Sequence, residues 1–256
     1  MLENKAKAKL KAGGTVLGSY IRHADCGMAE ILCHLGYDYL LFDGEHAPIG
    51  DKECENLARV CELTGVTPIS RVPANQTWMI SRRLDTGIQG VQIPRVNSAA
   101  EAEAAVRAAK YAPLGIRGLA GARAANYGQK LGFNYPDHVQ FSNDQSMVIV
   151  QVETEQSIAA LPEIVKVPEI DVIFIGPTDL SLSLGYPGNI GHPVVQDALC
   201  RITDIVLPTE KALGILAVTA EATLEWQSRG ARYILSVFEA LMAPAIRGYL
   251  KTVRGE

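Results

Sequence analysis

The chain lacks most of the features that would tie it to a membrane, a nucleic acid or a nucleotide. No apolar run approaches the roughly 20 residues that a membrane span requires. The opening stretch, MLENKAKAKLKAGG, has no apolar core of the signal-peptide kind, so a cytoplasmic protein is expected. Basic residues are not massed anywhere: 24 Lys and Arg are scattered among 28 Asp and Glu, giving a formal net charge of -4. That balance argues against nucleic acid as the main partner. The five cysteines, Cys26, Cys33, Cys54, Cys61 and Cys200, show no CxxC and no histidine at zinc-finger spacing, and read as reduced packing residues. The nucleotide loops GxGxxG and GxxxxGK[ST] are both absent. There is no Pro/Ser linker or low-complexity tract, so residues 1–256 are expected to form a single domain.

What is present is a rhythm. With 48% apolar residues the chain can fill a sizeable core. Short runs rich in Val, Ile or Leu recur at 15–21, 37–42, 67–72, 90–96, 147–153, 171–176, 213–219 and 232–238, the spacing of eight strands. Between them lie segments such as DKECENLARVCELTG and SAAEAEAAVRAAKY, good helix formers with apolar residues three or four apart. Near-continuous apolar strands need cover on both faces, so the alternation predicts a (β/α)8 TIM barrel, with a doubly wound open sheet as the competing fold. The connection over 111–146, rich in glycine, asparagine and aromatics, is too long for a plain βα link, and loops of that length are usually functional.

In such barrels the active site lies at the C-terminal ends of the strands. Four strands deliver charge there: Asp43, Glu45 and His46 in LLFDGEHAP, Arg71 in ISRVP, Gln151 and Glu153 in VQVET, and Asp179 in FIGPTD. Gln151 and Glu153 are two apart and share one face of their strand. Glu153 and Asp179 suit a hard divalent cation that keeps water and substrate oxygens in its shell, although both also suit the capping of the helices that follow them. His46 beside carboxylates has the setting of a general base. Arg71 interrupts an apolar strand and needs an anion, supplied by a neighbouring carboxylate or by a substrate carboxylate. Asp85 sits at the end of a predicted helix, where its charge opposes the dipole, although an Asp-Thr-Gly turn accounts for it as well. No lysine lies within or at the end of a strand, which argues against Schiff-base chemistry.

In this order along the chain, LLFDGEHAP, PISRVP, KYAPLGIRGL, IVQVET and FIGPTDLSLSLGYPGN resemble the HpcH/HpaI family of class II pyruvate aldolases. The resemblance implies reversible cleavage of a 4-hydroxy-2-oxo acid to pyruvate, or a close analogue, and an aldehyde. It implies a divalent metal (Mg²⁺, Mn²⁺ or Co²⁺) on Glu153 and Asp179, with His46 as base and Asp85 as the acid that raises its basicity. Arg71 matches the charge-stabilising arginine, Gln151 and the Thr178 backbone match groups on the pyruvyl moiety, and Asp43 is a further partner for His46. A hexamer built as a trimer of dimers, with the last helix exchanged between subunits, is also implied. Two positions depart from the pattern: Phe238 and Glu239 stand where a glycine and an aspartate are common, and Tyr20 replaces a tryptophan. Both bear on the aldehyde. Two other readings stay open from sequence: a different lyase or synthase working through a metal enolate on a CoA thioester or oxaloacetate, and a non-catalytic barrel that binds a 2-oxo acid.

Overall fold

The eight apolar runs become eight parallel strands, each hydrogen-bonded to the next, and the last closes on the first. In this computed structural model, which describes residues 2–255, the barrel consists of β1 (Val16–Ile21), β2 (Tyr39–Asp43), β3 (Thr67–Arg71), β4 (Gly90–Ile93), β5 (Met147–Val152), β6 (Val172–Ile175), β7 (Ala212–Leu216) and β8 (Tyr233–Val237). An N-terminal helix, α1 (Lys5–Lys11), precedes β1. The connecting helices are α2 (Cys26–His34), α3 (Asp51–Thr64), α4 (Thr77–Asp85), α5 (Ala99–Ala109), α6 (Tyr135–Gln145), α7 (Glu155–Ile164), α8 (Pro177–Ser183), α9 (Pro193–Val206) and α10 (Ala220–Ser228), and α11 (Phe238–Arg254) ends the chain.

Alternation along each strand sends one set of side chains into the lumen and the other toward the helices. Tyr20, Tyr39, Ile69, Ile149, Phe174 and Tyr233 belong to one packed interior cluster, so the barrel is solid below its rim. Tyr39 and Tyr233 stack with ring centroids 4.4 Å apart, and Tyr39 donates its hydroxyl to the Ile234 carbonyl at 2.9 Å. Gly18 leaves room for this stack: a Cβ there would overlap the Tyr39 ring. The functional groups are thereby raised onto a floor of aromatic rings.

Several boundaries move from those read in the sequence, for identifiable reasons. The run expected at 213–219 ends at Leu216, because the Thr219 side chain accepts from the Ala222 N–H and caps α10. The run expected to 96 stops at Ile93, because Arg95 adopts a positive φ of 52° and turns the chain. The long connection is not structureless: it holds a 3₁₀ segment, Arg123–Gly128, and α6, which Asn134 caps. Sequence periodicity gives no hint of α1. Among the described residues no helix is long and apolar enough to cross a membrane.

Only Phe238 is buried in α11. Its apolar residues Leu241, Met242, Ile246, Tyr249, Leu250 and Val253 are exposed within the single chain.

Candidate active site

Register decides the first half of the site. Asp43 ends β2 directly opposite Arg71, which ends β3, so the two side chains leave adjacent strands on one side. Arg71 donates from Nε to Asp43 Oδ1 at 3.0 Å and from Nη2 to Oδ2 at 2.7 Å, a two-point grip on a buried carboxylate. Its guanidinium also lies 4.9 Å from the centre of the Tyr20 ring. Asp43 Oδ1 further accepts the backbone N–H groups of Glu45 at 3.0 Å and His46 at 3.1 Å, which folds DGEH into a turn at the rim. Burial alone would raise the Asp43 pKa, but the Arg71 fork and these N–H donors outweigh it and hold the carboxyl below its ordinary value. Of the two anions weighed for Arg71 from sequence, the neighbouring carboxylate is present: Asp43 fixes the guanidinium, which also lines the cavity.

The acid beside His46 is Glu45, with Oε2 3.8 Å from Nε2. The same oxygen lies 3.0 Å from Arg71 Nη1, close enough for charge attraction but not aligned for a hydrogen bond. Burial raises the Glu45 pKa, against the opposing pull of Arg71 and His46. The His46 side chain is 54% exposed at the cavity mouth. Asp43 touches His46 only through its backbone N–H. Asp85, at the end of α4, accepts from Arg117 Nη2 at 2.6 Å and does not line the cavity, so one chain does not bring it to His46.

The second half comes from β4, β5 and the start of α8. Gln92 donates from Nε2 to Gln151 Oε1 at 2.7 Å, and Gln151 Nε2 in turn donates to Glu153 Oε2. The backbone N–H of Arg95, turned inward by its positive φ, donates to Glu153 Oε1 at 2.8 Å. Glu153 does not cap α7; Thr154 does, accepting from the Ser157 N–H. Asp179, in the first turn of α8 and lining the cavity, has no hydrogen-bond or ion-pair partner among the described residues. Gly176 allows the close approach of these groups, because a Cβ there would overlap the Glu153 carboxylate and come within 3.0 Å of Gln151 Nε2.

Burial, reinforced by the charges of Asp179 and Glu45, lifts the Glu153 pKa to about 7, despite donors from Gln151 and Arg95 that lower it. Two carboxylates in mutual repulsion, one buried and one without a partner, are a donor set a hard cation would neutralise. No group of three or more His, Cys, Asp or Glu converges as a metal cluster among the described residues. Water and ligand oxygens would have to complete the shell, as Mg²⁺ tolerates.

Part of this set lines a cavity of about 450 Å³ at the C-terminal mouth of the barrel. Asp43, His46, Arg71, Gln151, Thr178 and Asp179 form its polar side; Phe174, Leu216 and Val237 form an apolar side, with Arg22 at its edge. The sequence reading therefore located most of the polar side. It left Glu45 without a role and missed Gln92, the clearance at Gly176 and the Arg95 N–H. A polar residue in the apolar run GVQI was a signal for Gln92, whereas a backbone N–H turned by a non-glycine positive φ leaves none.

Comparison with known proteins shows the family. The family model described as HpcH/HpaI aldolase/citrate lyase matches residues 17–239. The chain is 37% identical over 235 residues to a 4-hydroxy-2-oxovalerate aldolase of Rhodococcus jostii (strain RHA1), covering 90% of this chain and 88% of that protein. It is 37% identical over 247 residues to a 4-hydroxy-2-oxo-heptane-1,7-dioate aldolase of Escherichia coli, covering 95% and 92%. The crystal structure of an HpcH/HpaI aldolase/citrate lyase family protein from Burkholderia cenocepacia J2315 superposes with a TM-score of 0.92 at 33% identity, covering 98% of this chain and 99% of that one. With the match spanning nearly the whole barrel, the chain belongs to the HpcH/HpaI aldolase/citrate lyase family and is a carbon-carbon lyase.

Proposed function

We propose that the protein cleaves a 4-hydroxy-2-oxo acid reversibly to pyruvate, or a close analogue, and an aldehyde, using a divalent metal ion (Mg²⁺, Mn²⁺ or Co²⁺). The observation that carries this reading is that Asp179, Arg71 and His46 line one cavity and that the buried Glu153, joined to its wall through Gln151 and packed against Gly176, lies within the charge influence of Asp179. Glu153 and Asp179 would hold the ion, which when bound polarises the 2-oxo group and acidifies the adjacent carbon. Arg71, kept in one orientation by Asp43, faces the negative charge that develops on the 2-oxo oxygen. Gln151, aligned by Gln92, and the Thr178 backbone position the pyruvyl part. His46, directly or through water, takes the C4 hydroxyl proton; the C3–C4 bond breaks, its electron pair passes into the 2-oxo group, and a proton returned to C3 gives pyruvate. Glu45, 3.8 Å from His46 and 3.0 Å from Arg71, steadies the imidazolium formed in that step, beside the Asp85 that the family resemblance implies for this role; the Glu45 distances support the reading.

Pyruvate release from a panel of 4-hydroxy-2-oxo acids tests the proposal. Activity should vanish with EDTA and return with Mn²⁺ or Mg²⁺, and Glu153→Ala should lose Mn²⁺ binding in titration. Turnover that survives complete metal removal, or an unchanged Mn²⁺ titration in Glu153→Ala, would overturn it. By their names, the two curated relatives differ in whether the acid they cleave ends in a second carboxylate. The uncovered apolar face of α11 supports an assembly in which this helix is exchanged between subunits, and a hexamer arranged as a trimer of dimers is part of the proposal.

A further inference from the structure

We propose that Arg22, anchored by Glu239, makes the enzyme select aldehydes that carry a terminal carboxylate. The inference rests on the aldolase reading and names the substrate class for the same cavity. Arg22 directly follows β1, which the strand order places four strands from the β5 that carries Gln151, so it borders the far side of the cavity. Between the two lie Leu216, Val237 and Phe174, an apolar wall suited to a short methylene chain.

Arg71, the other arginine lining the cavity, is already committed to Asp43 and Glu45. Arg22 is not. It donates from Nε to Glu239 Oε1 at 3.1 Å, while its terminal nitrogens have no protein acceptor among the described residues. Glu239, in the first turn of α11, does not line the cavity and holds the guanidinium from behind. A guanidinium fixed through Nε presents Nη1 and Nη2 as an open fork, the geometry that takes a carboxylate at two points. With the Arg22 side chain 44% exposed, this ion pair contributes little to stability, so its place at the cavity edge is not explained by folding.

The test compares 4-oxobutanoate with the uncharged pentanal as acceptors for pyruvate, read as the ratio of their kcat/KM values. Each ratio comes from a single preparation, so a variant that folds incompletely still gives a valid one. The wild type should prefer 4-oxobutanoate; Arg22→Gln should lower the ratio about tenfold, the scale of one lost charge-assisted contact. Arg22→Lys should keep part of the preference, and Glu239→Gln should raise the KM for 4-oxobutanoate more than it changes kcat. A wild type that prefers pentanal, or a ratio unmoved in Arg22→Gln, would overturn the assignment. Deuterium exchange into the pyruvate methyl group separates the failures. A wild type that exchanges but shows an unmoved ratio in Arg22→Gln refutes the role of Arg22 alone, whereas a wild type that does not exchange refutes the aldolase reading and this inference with it.

Discussion

At the scale of single residues, the site depends on how closely side chains are allowed to approach. Gly176 is the sharpest instance, since an added methyl group would occupy the space of the Glu153 carboxylate. Gly176→Ala should fold with the barrel intact yet displace Glu153 and Gln151, lowering Mn²⁺ affinity and turnover roughly tenfold or more, in line with the ~1–3 kcal/mol of an overpacked contact. Metal titration beside a thermal melt would show it; an unchanged affinity would mean that the tight contact carries no function. The polar residues at strand ends were legible because the barrel rhythm fixes which end of each strand is the rim. The partner of His46 was less so. Position set it beside the acids of its own motif, and the family resemblance implied Asp85; within one chain Asp43 is held by Arg71 across the register and Asp85 by Arg117. The carboxylate that comes within 3.8 Å of the imidazole is that of Glu45.

At the scale of elements, α11 is the segment whose sequence and surroundings disagree. Apolar residues recur along it at helical spacing, yet in one chain they face solvent. Exposed apolar surface of this kind marks an interface. If the helix packs on another subunit, Ile246→Asp or Tyr249→Asp should reduce the mass measured by light scattering while the far-UV circular dichroism of the barrel persists. A wild type that is monomeric at micromolar concentration would remove the basis for an exchanged helix. The connection over 111–146 teaches a related lesson. Its glycines and asparagines read as loop, but Asn134 caps α6, and the aromatics on either side pack locally, with Phe133 and Tyr135 at 5.1 Å edge to face. Composition marked where the chain would depart from a plain βα unit, and only the packed structure showed that the segment ends in a regular helix.

At the scale of the molecule, the end of the barrel opposite the site is tied together by buried charge. Lys110, fully buried after α5, donates from Nζ to the Asn143 carbonyl at 2.6 Å and the Ser146 carbonyl at 3.0 Å, and lies 3.3 Å from Glu169. Burial, helped by the positive charge of Lys7 and opposed by Asp171 and Glu169, lowers its pKa to about 8 from an ordinary 10.5. In the unfolded chain the amine keeps its proton up to about 10.5, whereas the folded chain releases it from about 8 upward. The cost of burying the charge is therefore complete below pH 8 and disappears as pH rises through this window. Relative to Lys110→Met, the wild type should gain up to about 3 kcal/mol between pH 7.5 and 10.5 in urea unfolding. A difference that stays flat across that range would show that the amine is not held in a depressed state.

The sequence by itself determined the alternation of strands and helices, and with it the barrel and the rim where chemistry collects, because apolar periodicity is a local property that each segment carries alone. It also placed most of the polar side of the cavity, since strand ends are local too. The tertiary structure alone decided who meets whom. The Asp43–Arg71 grip depends on β2–β3 register, the inward Arg95 N–H on a backbone turn, the Gly176 clearance on β5 and α8 meeting, and the Arg22–Glu239 pair on barrel closure. Such contacts join residues up to 217 positions apart, and no window of sequence contains both partners.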